Sequence, residues 1–75
     1  METNIRLKTA KRIKELRRKR GYTQEKLSEL SGIDYKYLQR MEGKSPPNIK
    51  IETIERLAKA FKISVSKLLE DKYAK

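Results

Sequence analysis

Residues 23–42, TQEKLSELSGIDYKYLQRME, restrict the chain more than any other stretch. They read as two short helices around a tight turn. Thr23 can cap the first, because its hydroxyl can accept from the orphan N–H groups of that helix's first turn. Leu27, Leu30 and Ser31 follow at i, i+3 and i+4, a helical face. Gly32 then offers the left-handed conformation that ends a helix without steric cost. Ile33 turns back into the core. Asp34 can cap the second helix, whose Leu38 and Met41 lie three apart. So few residues between two caps is the spacing of a helix-turn-helix.

With Leu38 and Met41 turned inward, geometry fixes what the second helix shows to the outside: Tyr35, Lys36, Gln39 and Arg40. Arginine and lysine can donate to the guanine O6 and N7 acceptors, and glutamine can read adenine. Tyr35 can offer a hydroxyl or pack on a thymine methyl. Tyr37, beside Leu38, reads as core lining or helix packing, and Asp34 as a cap.

The charge balance agrees with a polyanionic partner. Twenty Lys and Arg against ten Asp and Glu give +10 at neutral pH. There is no cysteine and no histidine, which removes disulfides, thiolate metal sites and the usual general base. Nothing clusters for an all-carboxylate metal site. The expectation is therefore no enzyme, no metal or other cofactor and no small-molecule ligand. No apolar run approaches the length of a membrane span or a signal peptide, so a cytoplasmic protein with no membrane partner is expected.

The flanks add three more helices. Residues 5–20 contain no Gly or Pro, and Ala10, Ile13 and Leu16 form a narrow inward stripe with Arg17 beside it. The Lys and Arg around that stripe read mostly as a solvated face, and those in the last turn complement the helix dipole. Gly21 ends this helix and Tyr22 closes the corner over the core. Pro46 and Pro47 keep the next segment a loop, from which Ile49 tucks inward. Ile51, Ile54, Leu57, Ala58 and Phe61 form an amphipathic fourth helix. Ser64 can cap a last one carrying Val65, Leu68 and Leu69. No alternating strand pattern occurs. The expectation is one all-α domain over residues 1–75 with helices at about 5–20, 24–31, 34–42, 51–61 and 65–71, and with loose ends at 1–4 and 73–75.

These residues resemble the helix-turn-helix of the Xre/Cro/C1 family of small bacterial and phage regulators. Gln24 matches the opening of the first helix, Ser28 the small residue facing the second, Gly32 the turn and Leu38 and Met41 the buried pair. The resemblance covers roughly residues 5–69. It departs at Glu42-Gly43-Lys44, which shortens the usual ending, and at the long loop 45–50. The resemblance implies a compact five-helix, lambda-repressor-like fold with the second helix of the motif in the major groove of double-stranded DNA. It implies base reading by Tyr35, Lys36 and Arg40 with Gln39 beside them. It also implies a salt bridge between Arg17 and Glu42. Gln24, at a helix start where free N–H groups favour an anion, is implied to clamp a phosphate. Lys44 and Lys50 would add phosphate contacts from the loop. The implied activity is sequence-specific transcriptional regulation, mainly repression, by a weak or DNA-dependent homodimer. The alternative is an antitoxin that binds a partner protein as well as its operator.

Overall fold

The computed structural model describes residues 4–70 and forms five helices among them: α1 (Ile5–Lys19), α2 (Gln24–Ser31), α3 (Tyr35–Met41), α4 (Ile51–Phe61) and α5 (Val65–Leu68). No strand occurs among the described residues. The expected loose ends at 1–3 and 73–75, and residue 71 of the expected last helix, lie outside them.

Four of the helices begin at a side-chain cap. Thr23 Oγ1 accepts from Lys26 N at 3.0 Å, Asp34 Oδ2 from Lys36 N at 3.0 Å, and Ser64 Oγ from Lys67 N at 3.0 Å. Each satisfies an amide that the first helical turn leaves without a partner. The fourth cap was not anticipated. Asn4, expected within a frayed start, accepts from Leu7 N at 3.2 Å and begins α1.

Two helices end in the same way. After α1, Gly21 takes a φ of 71°, with Gly21 N bonded to Arg18 O and Tyr22 N to Arg17 O. After α4, Lys62 takes a φ of 59°, with Lys62 N bonded to Lys59 O and Ile63 N to Ala58 O. Both are the paired closure that normally uses glycine. Lys62 is the one described non-glycine residue at positive φ. A Cβ there is penalised, and its side chain is exposed. Lys62→Gly should therefore raise stability by about 0.5–1 kcal/mol, the backbone relief outweighing glycine's larger unfolded-state entropy. A lower denaturation midpoint would contradict this.

The core is shared by every helix. Ile13 and Leu16 of α1 meet Leu27 of α2, Leu38 and Met41 of α3, Leu57 and Phe61 of α4 and Leu68 of α5, with Ile33 from the turn. α4 lies in the middle, packed on α1, α2 and α5. That position explains a wide buried face, which includes Ala60 as well as Leu57, Ala58 and Phe61. Tyr22 closes the corner after α1, its ring stacked on Phe61 at 6.1 Å. Pro46 is buried in the α3–α4 loop, and Ile49 packs on the core.

Three of the apolar residues that the sequence pattern assigns to the helices, and so to the core, are exposed instead. Ile51 is 75% exposed because it is the first residue of α4. Helical side chains lean toward the N-terminus, so its side chain leans past the helix start. Leu30 is 45% exposed because α2 turns its Leu27–Ser31 edge inward, which places Leu30 on the other flank. Leu69 follows the single turn of α5 as its C-cap and stays outside.

Candidate nucleic-acid interface

The turn between α2 and α3 is held by serines as well as by glycine. Gly32, at φ 73°, donates from its backbone to Ser28 O. Ser28 Oγ donates to Ile33 O at 2.6 Å. The buried Ser31 Oγ donates to Leu27 O at 2.6 Å and accepts from Ile33 N at 3.2 Å. These bonds satisfy the polar groups of a turn that must dip into the core to bury Ile33. They fix the angle at which α3 leaves α2.

α3 then presents its outer face. Lys36, Gln39 and Arg40 are exposed and Tyr35 is half-buried, while Leu38 and Met41 are buried on the opposite side. Two internal contacts order the outer side chains. Gln39 Nε2 donates to the Tyr35 hydroxyl at 3.1 Å, one turn away. The Arg40 guanidinium lies 6.0 Å from the centre of the Tyr37 ring, a cation–π distance. Tyr37 itself packs against the core. The Arg40 guanidinium is therefore held over Tyr37, with its N–H donors left for a planar acceptor pair.

At the other end of α3, four residues converge. Arg17 Nε donates to Glu42 Oε2 at 2.7 Å and its Nη2 to Glu42 Oε1 at 2.9 Å, a two-point fork. Its Nη1 donates to Tyr22 O at 2.8 Å. Gln24 Nε2 donates to the same Glu42 Oε1 at 3.1 Å. The fork holds the Arg17 pKa above its ordinary value, chiefly through the hydrogen bond to Glu42 and secondarily through that residue's charge, against the lowering effect of burial. The network ties α1, the start of α2 and the end of α3 together. One amide proton of Gln24 is used in it, which leaves the second free at the open first turn of α2.

Lys44 and Lys50 are both exposed at the two ends of the α3–α4 loop, and Lys50 stands at the start of α4. Two features escaped sequence reasoning. One is the Gln24–Glu42 bond. The other is Arg12, whose Nε and Nη2 donate to Leu68 O and Lys67 O, each at 3.1 Å, closing the end of α5. Nothing local marks Arg12 among its basic neighbours, because its partners lie more than fifty residues away. Among the described residues, no group of three or more Asp or Glu is placed to hold a metal ion, and no helix is long and apolar enough to cross a membrane.

A family model described as helix-turn-helix matches residues 13–68. The chain belongs to the helix-turn-helix family. The sequence resemblance to its Xre/Cro/C1 branch stands with it. The HTH-type transcriptional regulator SinR of Bacillus subtilis (strain 168) is 32% identical over 62 residues, 83% of this chain. The chain spans 56% of that regulator's length. Among solved structures, the restriction-modification controller protein C.AhdI from Aeromonas hydrophila matches with a TM-score of 0.77 at 35% identity, covering 84% of this chain and 94% of that one. A chain of the SinR/SinI protein complex matches with a TM-score of 0.75 at 31% identity, covering 85% and 62%. The five-helix, lambda-repressor-like fold is thus the fold of these regulators.

Proposed function

We propose that the protein is a sequence-specific double-stranded DNA-binding regulator of transcription that inserts α3 into the major groove. One observation carries this reading: α3 is capped by Asp34, pinned to α2 by the serine-stitched turn, and shows Tyr35, Lys36, Gln39 and Arg40 to the outside. A helix so braced fits the groove with its N-terminal half toward the base edges. In this reading Gln24, Lys44 and Lys50 serve as phosphate contacts, which position the protein without reading sequence. The similarity to SinR, a transcriptional regulator, and to C.AhdI, a restriction-modification controller protein, supports it.

Selection of bound sequences from a random DNA pool tests the proposal. A regulator returns a defined motif whose affinity exceeds that of random duplex by about 10³-fold or more. A pool that stays unenriched, with binding governed only by salt, rejects sequence reading.

The protein acts on paired half-sites as a weak or DNA-dependent homodimer. Two-fold use of the motif sets half-site centres roughly 10–10.5 bp apart, or a multiple of that spacing. Footprinting on the selected site should show both halves filling together. Independent filling at every spacing would contradict the dimer.

A further inference from the structure

The charge of the chain is not where the reading helix is. α1 holds eight basic residues against Glu15 alone, a net of +7 out of the chain's +10. Residues 24–41, which hold α2 and α3, contain three basic and three acidic residues and are neutral. Two of α1's arginines are already engaged, Arg17 with Glu42 and Arg12 with the end of α5. Lys11, Arg18 and Lys19 are not. All three are exposed, and they form no ion pair with any described residue. Lys11 and Arg18 are seven residues apart and share one helical face, about 10 Å along the axis, with Lys19 next to it.

This row and the reading face belong to two helices packed round one core. Ile13 and Leu16 of α1 and Leu38 and Met41 of α3 point into one shared cluster. The outward side of each helix therefore points away from that cluster, and Lys11 and Arg18 stand on the side of α1 opposite Ala10, Ile13 and Leu16.

We infer that the outward row Lys11, Arg18 and Lys19 is a second phosphate-binding surface, which takes up a nucleic-acid duplex segment other than the one read by α3. Charge complementarity favours a duplex, since each phosphate neutralised there releases a bound counterion. A membrane surface would need apolar side chains among the cations. α1 exposes only Ile5 and Leu7 as large apolar groups, both ahead of Lys11 and far along the helix from Lys19. The inference rests on the DNA-binding reading for its partner, but not on sequence recognition by α3.

The test saturates the full chain with its selected unlabelled duplex and titrates in a fluorescent duplex of unrelated sequence, at several salt concentrations. The triple variant K11Q/R18Q/K19Q is compared, with its helicity checked first; glutamine is a good helix former. The wild-type complex should take up the second duplex. The variant should bind it at least tenfold more weakly, with a salt slope lower by about 2–3 units, and should keep its affinity for the selected site within about threefold. The inference fails if the saturated protein takes no second duplex, or if the variant matches wild type. It also fails if the variant loses both duplexes equally, which would place the row on the flank of the read site. Binding of phosphatidylglycerol vesicles that depends on the three residues, without duplex uptake, would overturn it in favour of a membrane.

A separate arm keeps the two readings distinguishable. Immobilised and free duplexes of random sequence are bridged by wild type and by the variant, so no preferred site is needed. An unenriched pool with variant-sensitive bridging sinks sequence reading alone. An enriched pool with bridging that ignores the variant sinks the α1 surface alone.

Discussion

Replacing Arg17 by alanine is expected to cost about 3–5 kcal/mol of folding stability, and so is replacing Glu42. The side chains are 13% and 6% exposed, so truncating either strands its partner away from water. Arg17→Ala leaves Glu42 with only the Gln24 amide, and Glu42→Ala leaves Arg17 with only the Tyr22 carbonyl. The double variant strands neither. It should cost little more than the larger single change, so a double-mutant cycle should give a coupling close to the smaller single loss, about 3 kcal/mol. Chemical denaturation of the four proteins measures it, and additive losses would show that the fork carries no energy of its own. Lys26–Glu29 and Lys67–Glu70 provide the contrast. Both pairs are exposed, and breaking either should shift stability by less than about 1 kcal/mol.

The pH response follows from the sign of the shift. The Arg17 pKa is raised on folding, so its contribution is fully present below the unfolded value and is lost only as pH rises through the folded one. Arginine stays charged over any workable range. The Arg17 contribution should therefore not decay with alkaline pH. A lysine in its place would lose the planar fork.

Local chemistry made the motif legible. Thr23, Gly32 and Asp34 each act on amides within a few residues, so their roles were readable without knowing the tertiary structure. Side chains whose roles depend on distant partners were not readable. Periodicity put Leu30 and Ser31 on one face, but only the position of α3 and α4 decides that the serine is buried and the leucine is not. Ala60 carries too little apolar signal to be noticed, yet α4's central position buries it. Ile51 kept the right phase, but at the first turn of its helix nothing covers it. Arg12 looked like any other surface cation until α5 arrived beside it. The Arg17–Glu42 fork came from family resemblance, since no local pattern joins residues twenty-five apart.

Arg40→Ala should weaken the preferred DNA site by about 1–3 kcal/mol and relax preference at one base position. Arg40 is exposed on the outer face of α3 with its guanidinium over the Tyr37 ring, and in the proposed mode its fork meets a guanine edge. Gln24→Ala should instead weaken every sequence nearly equally. A neutral amide releases no counterion, so the salt slope should remain almost unchanged. The Gln24 bond to Glu42 adds a second expectation, a stability loss of about 0.5–1.5 kcal/mol, so affinities should be compared where both proteins are fully folded. Lys44→Ala should lower the slope by about one unit, because in the proposed mode its ammonium replaces a cation on the backbone. A panel of single-base variants of the selected site, titrated at several salt concentrations, separates the three roles. If Arg40→Ala lowered every variant by the same factor, Arg40 would be a backbone contact, and base reading by α3 would rest on Tyr35, Lys36 and Gln39 alone.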